Sequence, residues 1–136
     1  MPSKNHCVPD RLPGLCLKAA WTLVLALPLS ASWAAGDIEA GKAAFVNCAS
    51  CHALGPSAHG AFGPQLNALI GRTAGSTADY HYSAAMKNSG IVWSEKTLTA
   101  FLKDPGDVVP GTKMRLYGFS NEQKIANLLA YLRTFN

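Results

Sequence analysis

The sequence predicts an all-α fold of four or five helices joined by long loops, and three observations carry that prediction. Apolar residues recur at three- and four-residue steps in separate stretches, each opened by a residue able to cap a helix. No stretch longer than three residues alternates as a strand would, "IVW" being the one candidate. Between the periodic stretches lie long segments rich in Gly, Ala, Pro and Ser. In so small a helical chain, such loops are expected to carry function or to wrap around something.

The N-terminus stands apart from this pattern. Lys4, Arg11 and Lys18 outweigh a single Asp10 ahead of the apolar run "AAWTLVLAL", Pro28 and the small-residue patch "SASWAAG". That is the order of a cleavable secretory signal peptide over residues 1–34, with Ser32 and Ala34 at the small positions before the cut. The apolar run is too short to span a bilayer comfortably, so an uncleaved anchor is the lesser alternative. Cleavage leaves a domain of residues 35–136, removes Cys7 and Cys16, and keeps Cys48 and Cys51. Of the formal charge of +4, half belongs to the leader. The weak balance that remains, without clustered Lys or Arg, argues against nucleic-acid binding. Export, most simply to a bacterial periplasm, would expose a vicinal thiol pair to oxidation unless something occupied it. A domain this small also has a limited apolar interior, which a large bound cofactor would complete.

Within the mature domain, Asp37 is placed to cap a helix reaching about Asn47, with Ile38, Gly41, Ala44, Phe45 and Cys48 along one face. "HALGPSAHGAFG" follows as a loop, and Pro64 to Ile70 reads as a short helix closed by Gly71. "RTAGSTADY" is loop again, and "YSAAMKNSG" offers one or two turns from Ser83 to Gly90. Ser94 caps a helix whose Leu98, Phe101 and Leu102 share a face and which Asp104-Pro105 ends. After the connector "GDVVPGTKMRLYGF", Ser120 and Gln123 stand at capping-box spacing before the stripe Ile125, Leu128, Leu129 and Leu132.

The chemistry concentrates in "CASCH", residues 48–52. Two thiols and an imidazole so close could hold zinc, form a redox dithiol, or anchor a haem. Structural zinc normally takes four protein ligands, and the remaining histidines fall at irregular spacing. A thioredoxin-like dithiol belongs beside a βαβ pattern, which is missing here. Cys-x-x-Cys-His is the attachment signature of c-type haem. Two cysteines on one turn can each form a thioether to a vinyl group, and the next imidazole then reaches the iron. Cys48 and Cys51 are therefore the expected anchors of one haem c, with His52 as an iron ligand. The opposite face could be filled by His59, His81, Met86 or Met114, or left open. Met114 is distinguished by following Pro110-Gly111, a pair suited to a tight turn in an extended segment.

Taken together, "GDIEAGKAAFVNCASCHALG", "FGPQLNALIGRTAG", "YSAAMKNSGIVW", "LTAFLKDP", "VPGTKM" and "IANLLAYL" make the chain resemble the small soluble class I cytochromes c over nearly all of residues 36 to 135. The resemblance implies the cytochrome c fold wrapped around one covalently bound haem, with Met114 as the second iron ligand. It implies that the Pro64 carbonyl accepts a hydrogen bond from His52, and that Arg72, Tyr82 and Trp93 surround the propionates. It also implies that Gly41 and Phe45 meet Leu128 and Tyr131 where the first and last helices cross. Phe101 departs from the tyrosine many relatives carry near the Met sulfur. Asn47, Gly106 and Asp107 stand where relatives that dock through lysines carry basic residues, while Lys113 is retained.

The implied function is a monomeric monohaem electron carrier, not an enzyme, with no substrate at the iron. It would cycle between Fe(II) and Fe(III) as it docks transiently with membrane or soluble redox proteins of a respiratory or related chain. The alternatives are a haem enzyme or gas sensor with a labile sixth ligand, and an electron-entry subunit of a larger complex.

Overall fold

The computed structural model describes residues 35–136; the leader assigned to residues 1–34 lies outside the described residues. Five helices follow in order: α1 (Ile38–Ala49), α2 (Ala84–Lys87), α3 (Glu95–Lys103), α4 (Pro105–Val108) and α5 (Glu122–Arg133). Among the described residues there is no strand, and "IVW" contributes a single antiparallel bridge between Thr73 and Val92.

Helix α1 starts where its cap predicts. The Asp37 carboxylate accepts the Ala40 N–H at 2.7 Å, satisfying a donor that the first turn leaves unpaired. Its buried face, Gly41, Ala44 and Cys48, crosses α5. The helices approach so closely at Gly41 that a Cβ there would fall on the Asn127 carbonyl and the Tyr131 Cβ. Phe45 and Tyr131 stack beside this point with ring centroids 5.7 Å apart. The expected crossing is therefore present, with Asn127 as the neighbour Gly41 makes room for. Asn127 adds a polar tie, its Oδ1 accepting the Asp37 N–H at 2.9 Å.

The α5 stripe forms the centre of the core, with Ile125 and Leu128 each only 1% exposed. Burying such a side chain stabilises the fold by about 1.5–3 kcal/mol. The α5 cap sits one residue later than Ser120 would place it: Asn121 Oδ1 accepts the Lys124 N–H at 2.9 Å. Gln123 closes no capping box with Ser120; its Nε2 donates to Asn127 Oδ1 at 2.9 Å. Helix α3 has a reciprocal box, in which Ser94 and Thr97 each accept the other's backbone N–H. Its Leu98, Phe101 and Leu102 are buried as the periodicity requires.

Two segments differ from expectation. Residues 64–70 form turns rather than a helix, because their backbone groups bond outward. The Asn67 and Gln65 carbonyls accept from Arg72, and the Ala68 N–H donates to the Phe135 carbonyl at 2.8 Å. Ala68 itself takes φ of 47°, outside helical geometry. In the connector, α4 adds one helical turn that periodicity could not reveal. Asp104 closes α3 and opens α4, its Oδ1 accepting from Gly106 and Asp107, while Pro105 supplies a preset φ at the first position.

Candidate functional site

The end of α1 delivers "CASCH" into the interior. Both the Cys51 and His52 N–H groups turn back to the Cys48 carbonyl, at 3.0 and 2.8 Å. This places Cys48 buried, Cys51 exposed and both thiols free. Burial above all, and then the neighbouring Cys51, pushes the Cys48 thiol up, against an opposing pull from Lys124.

His52 is held from the side. Its Nδ1 lies 2.7 Å from the Pro64 carbonyl, an acceptor, so Nδ1 carries the proton and Nε2 keeps its lone pair. Burial lowers the imidazole pKa, outweighing the raising effect of that hydrogen bond, and Arg72 lowers it further. The lowered pKa favours the neutral ring, the form that can ligate iron. Gly63 completes the slot: a Cβ there would come within 2.6 Å of His52 Cε1 and 2.8 Å of Nδ1. Gly63 went unread as a site residue, and its signal was its place directly before Pro64 in "FGP". Asn67 was also missed. It clamps Gly55 through both amide atoms, each at 2.8 Å, and so closes the loop that leaves His52.

Cys48, Cys51, His52, Gly63 and Pro64 border a cavity of about 290 Å³. Its apolar wall comes from every part of the chain, including Leu69, Met86, Trp93, Phe101, Leu128 and Leu132. Arg72, Tyr82 and Trp93 all line it. Arg72 spends two N–H groups on the Asn67 and Gln65 carbonyls, at 2.8 and 2.9 Å, and among the described residues no carboxylate forms an ion pair with it. A partly buried guanidinium so placed favours an anionic group of a ligand. The Tyr82 hydroxyl meets Thr77 Oγ1 at 2.8 Å.

On the remaining side, Pro110 and Gly111 make the tight turn that the sequence indicates, with the Thr112 N–H bonded to the Val109 carbonyl at 2.9 Å and Gly111 at φ of 92°. Thr112 Oγ1 then accepts the Met114 N–H at 3.2 Å. Of the four candidates for this side, Met114 and Met86 line the cavity. His59 and His81 are exposed and do not.

The family profile described as Cytochrome c matches residues 38–136. A cytochrome c2 of Agrobacterium tumefaciens (strain II Chrys) is 49% identical over 100 residues, covering 71% of this chain and 90% of the relative. Cytochrome c-550 of Nitrobacter winogradskyi is 46% identical over 101 residues, covering 74% of this chain and 93% of the relative. The solved structure of cytochrome cH from Methylobacterium extorquens matches with a TM-score of 0.68 at 41% identity, over 73% of this chain and 99% of that one. The chain belongs to the cytochrome c family.

As a cytochrome c, the protein binds covalent haem c with its iron, and Cys48 and Cys51 stand in the Cys-x-x-Cys-His positions where the family attaches it. The residues present fit that group. Two free thiols one turn apart, an imidazole with an available Nε2, an apolar cavity and a guanidinium that forms no ion pair among the described residues are the donor set a porphyrin with propionates requires.

Proposed function

We propose that this cytochrome c is an exported, monomeric electron carrier in which His52 and Met114 are the two protein ligands of the haem iron. The observation that carries the reading is one apolar cavity reached by both His52 and a thioether on the braced "PGTKM" turn. When bound, the haem supplies a one-electron Fe(II)/Fe(III) couple. The chain's own residues do the rest. Pro64 fixes the imidazole tautomer and raises its basicity. Met114, rather than the core residue Met86, is aimed by an extended segment whose backbone is free to present one side chain. A thioether there favours the reduced state relative to a second nitrogen ligand. Arg72 would neutralise a propionate of the bound haem, and the apolar wall would exclude water.

With His52 and Met114 both holding the iron, no position on it would be left for a substrate. One electron leaves the reduced protein for an oxidised partner, and no bond forms or breaks. Export follows from the composition of residues 1–34, and among the described residues no helix is long and apolar enough to cross a membrane. Spectra of the purified protein, oxidised and then reduced, test the reading. The oxidised form should show a sulfur-to-iron charge-transfer band, a redox titration should follow a one-electron curve, and carbon monoxide should fail to bind the reduced form. A carbon monoxide adduct in the wild-type protein would instead mark a haem enzyme or sensor.

A further inference from the structure

Phe62 is 86% exposed, an unusual placement for a phenylalanine, yet its carbonyl and the residues on both sides of it are held by hydrogen bonds. The Tyr80 hydroxyl donates to the Phe62 carbonyl at 3.2 Å, and the Ala61 N–H to the Gly63 carbonyl at 2.9 Å. The Gly63 N–H reaches the Cys51 carbonyl at 2.9 Å, and the Gly60 N–H reaches Asp79 Oδ2 at 2.6 Å. A large apolar ring presented by a fixed loop loses little entropy on docking, which is what an interface anchor requires. The ring stands at the mouth of the cavity together with Asn47, Lys113 and Arg115. Among the described residues no Asp or Glu lines that cavity, so the mouth is apolar at one point and cationic at two. Lys113 is partly committed, its Nζ donating to the His81 carbonyl at 2.7 Å.

We infer that Phe62 is the apolar anchor of the face through which this cytochrome exchanges electrons, and that it fits a redox protein offering an apolar recess edged by carboxylates. The inference rests on the carrier reading and adds which side chain selects the partner. A face with so few cations is steered weakly, so its affinity depends on the seating of the ring more than on ionic strength.

The test uses the haem-loaded protein, reduced, with respiratory membranes from the cell that makes it as the oxidant, followed by the loss of reduced absorbance. Phe62→Ala should raise KM by roughly tenfold while kcat, visible spectrum and reduction potential hold, and Phe62→Tyr should recover most of the loss. Arg115→Gln should raise KM less, and the difference should vanish at high salt. A KM for Phe62→Ala within about twofold of wild type overturns the anchor while leaving the carrier standing. A changed spectrum or potential in Phe62→Ala also overturns it, by showing that the ring serves the cofactor. If wild type itself neither gives electrons to these membranes nor takes them, the carrier reading fails and the anchor with it.

Discussion

The two sides of the cavity are built differently. On the His52 side Cys48, Cys51 and His52 follow one another at the end of α1, and Gly63 and Pro64, returned by one short loop, bond directly to them. On the Met114 side a stretch without regular structure, residues 111–120, is held by remote ties. Lys113 reaches the His81 carbonyl, and the Phe119 N–H reaches the Leu102 carbonyl at 2.9 Å. At Gly118, φ of 85° and the Lys103 carbonyl together leave no room for a side chain. A side anchored in a helix crossing opens only when the fold opens. A side held by single hydrogen bonds opens on its own, at lower free energy.

Substitutions at the crossing should have the largest effect. Gly41→Val would press a side chain into the Asn127 carbonyl, and backbone cannot give way as a flexible side chain can. Overpacking of this kind costs at least about 3 kcal/mol, and both sides of the site should be lost together in one denaturant transition. Separate transitions for haem environment and helix content in that variant would break the comparison. Gly63→Ala acts on the His52 side alone, driving a Cβ at the imidazole ring. It should cost about 1–3 kcal/mol and shift the reduction potential, with nuclear magnetic resonance showing the Pro64 hydrogen bond weakened.

Met114→Ala should leave the helices folded but admit cyanide to the oxidised protein and carbon monoxide to the reduced one. Stopped-flow binding against wild type measures this, and exclusion of both ligands by the variant would return the role to Met86. Lys113→Met removes the exposed tie to His81, so it should lower the free energy of opening the Met114 side by no more than about 1 kcal/mol, with the global transition unmoved. Cyanide-binding rates would report this, because binding waits on opening.

The smallest effect concerns pH. The Gly60 N–H, foremost among several hydrogen bonds, holds the Asp79 carboxyl below the usual carboxylate range. A depressed pKa means that this tie is complete at neutral pH and is lost as pH falls through Asp79's folded value. The protection of the Gly60 amide against exchange, measured relative to its intrinsic rate at each pH, should therefore fall in acid before that of the core amides, and Asp79→Asn should remove that pH dependence.

Much of the fold was legible because its signals are local. Asp37 and Ser94 cap the helices they were expected to cap, and Ile125, Leu128, Leu129 and Leu132 bury the face their spacing defines. Pro64–Ile70 misled because nothing in its residues announces that Asn67 and Gln65 will give their carbonyls to Arg72. The single turn α4 escaped for the opposite reason: Asp104-Pro105 does signal an ending, and the same pair also signals a beginning. Asn121, one residue after Ser120, is the cap of α5, its side chain accepting the Lys124 N–H.

By itself the sequence determined the attachment motif, the helical class and the residues suited to ligate, since each follows from spacing along a few turns of chain. Only the tertiary structure decided that Gly63 guards the imidazole, that Met86 and Met114 line the cavity while His59 and His81 do not, and that Phe62 is exposed. The reason is that periodicity reports which face of an element is apolar. Excluded volume and hydrogen-bond partners depend on what another part of the chain places against that face.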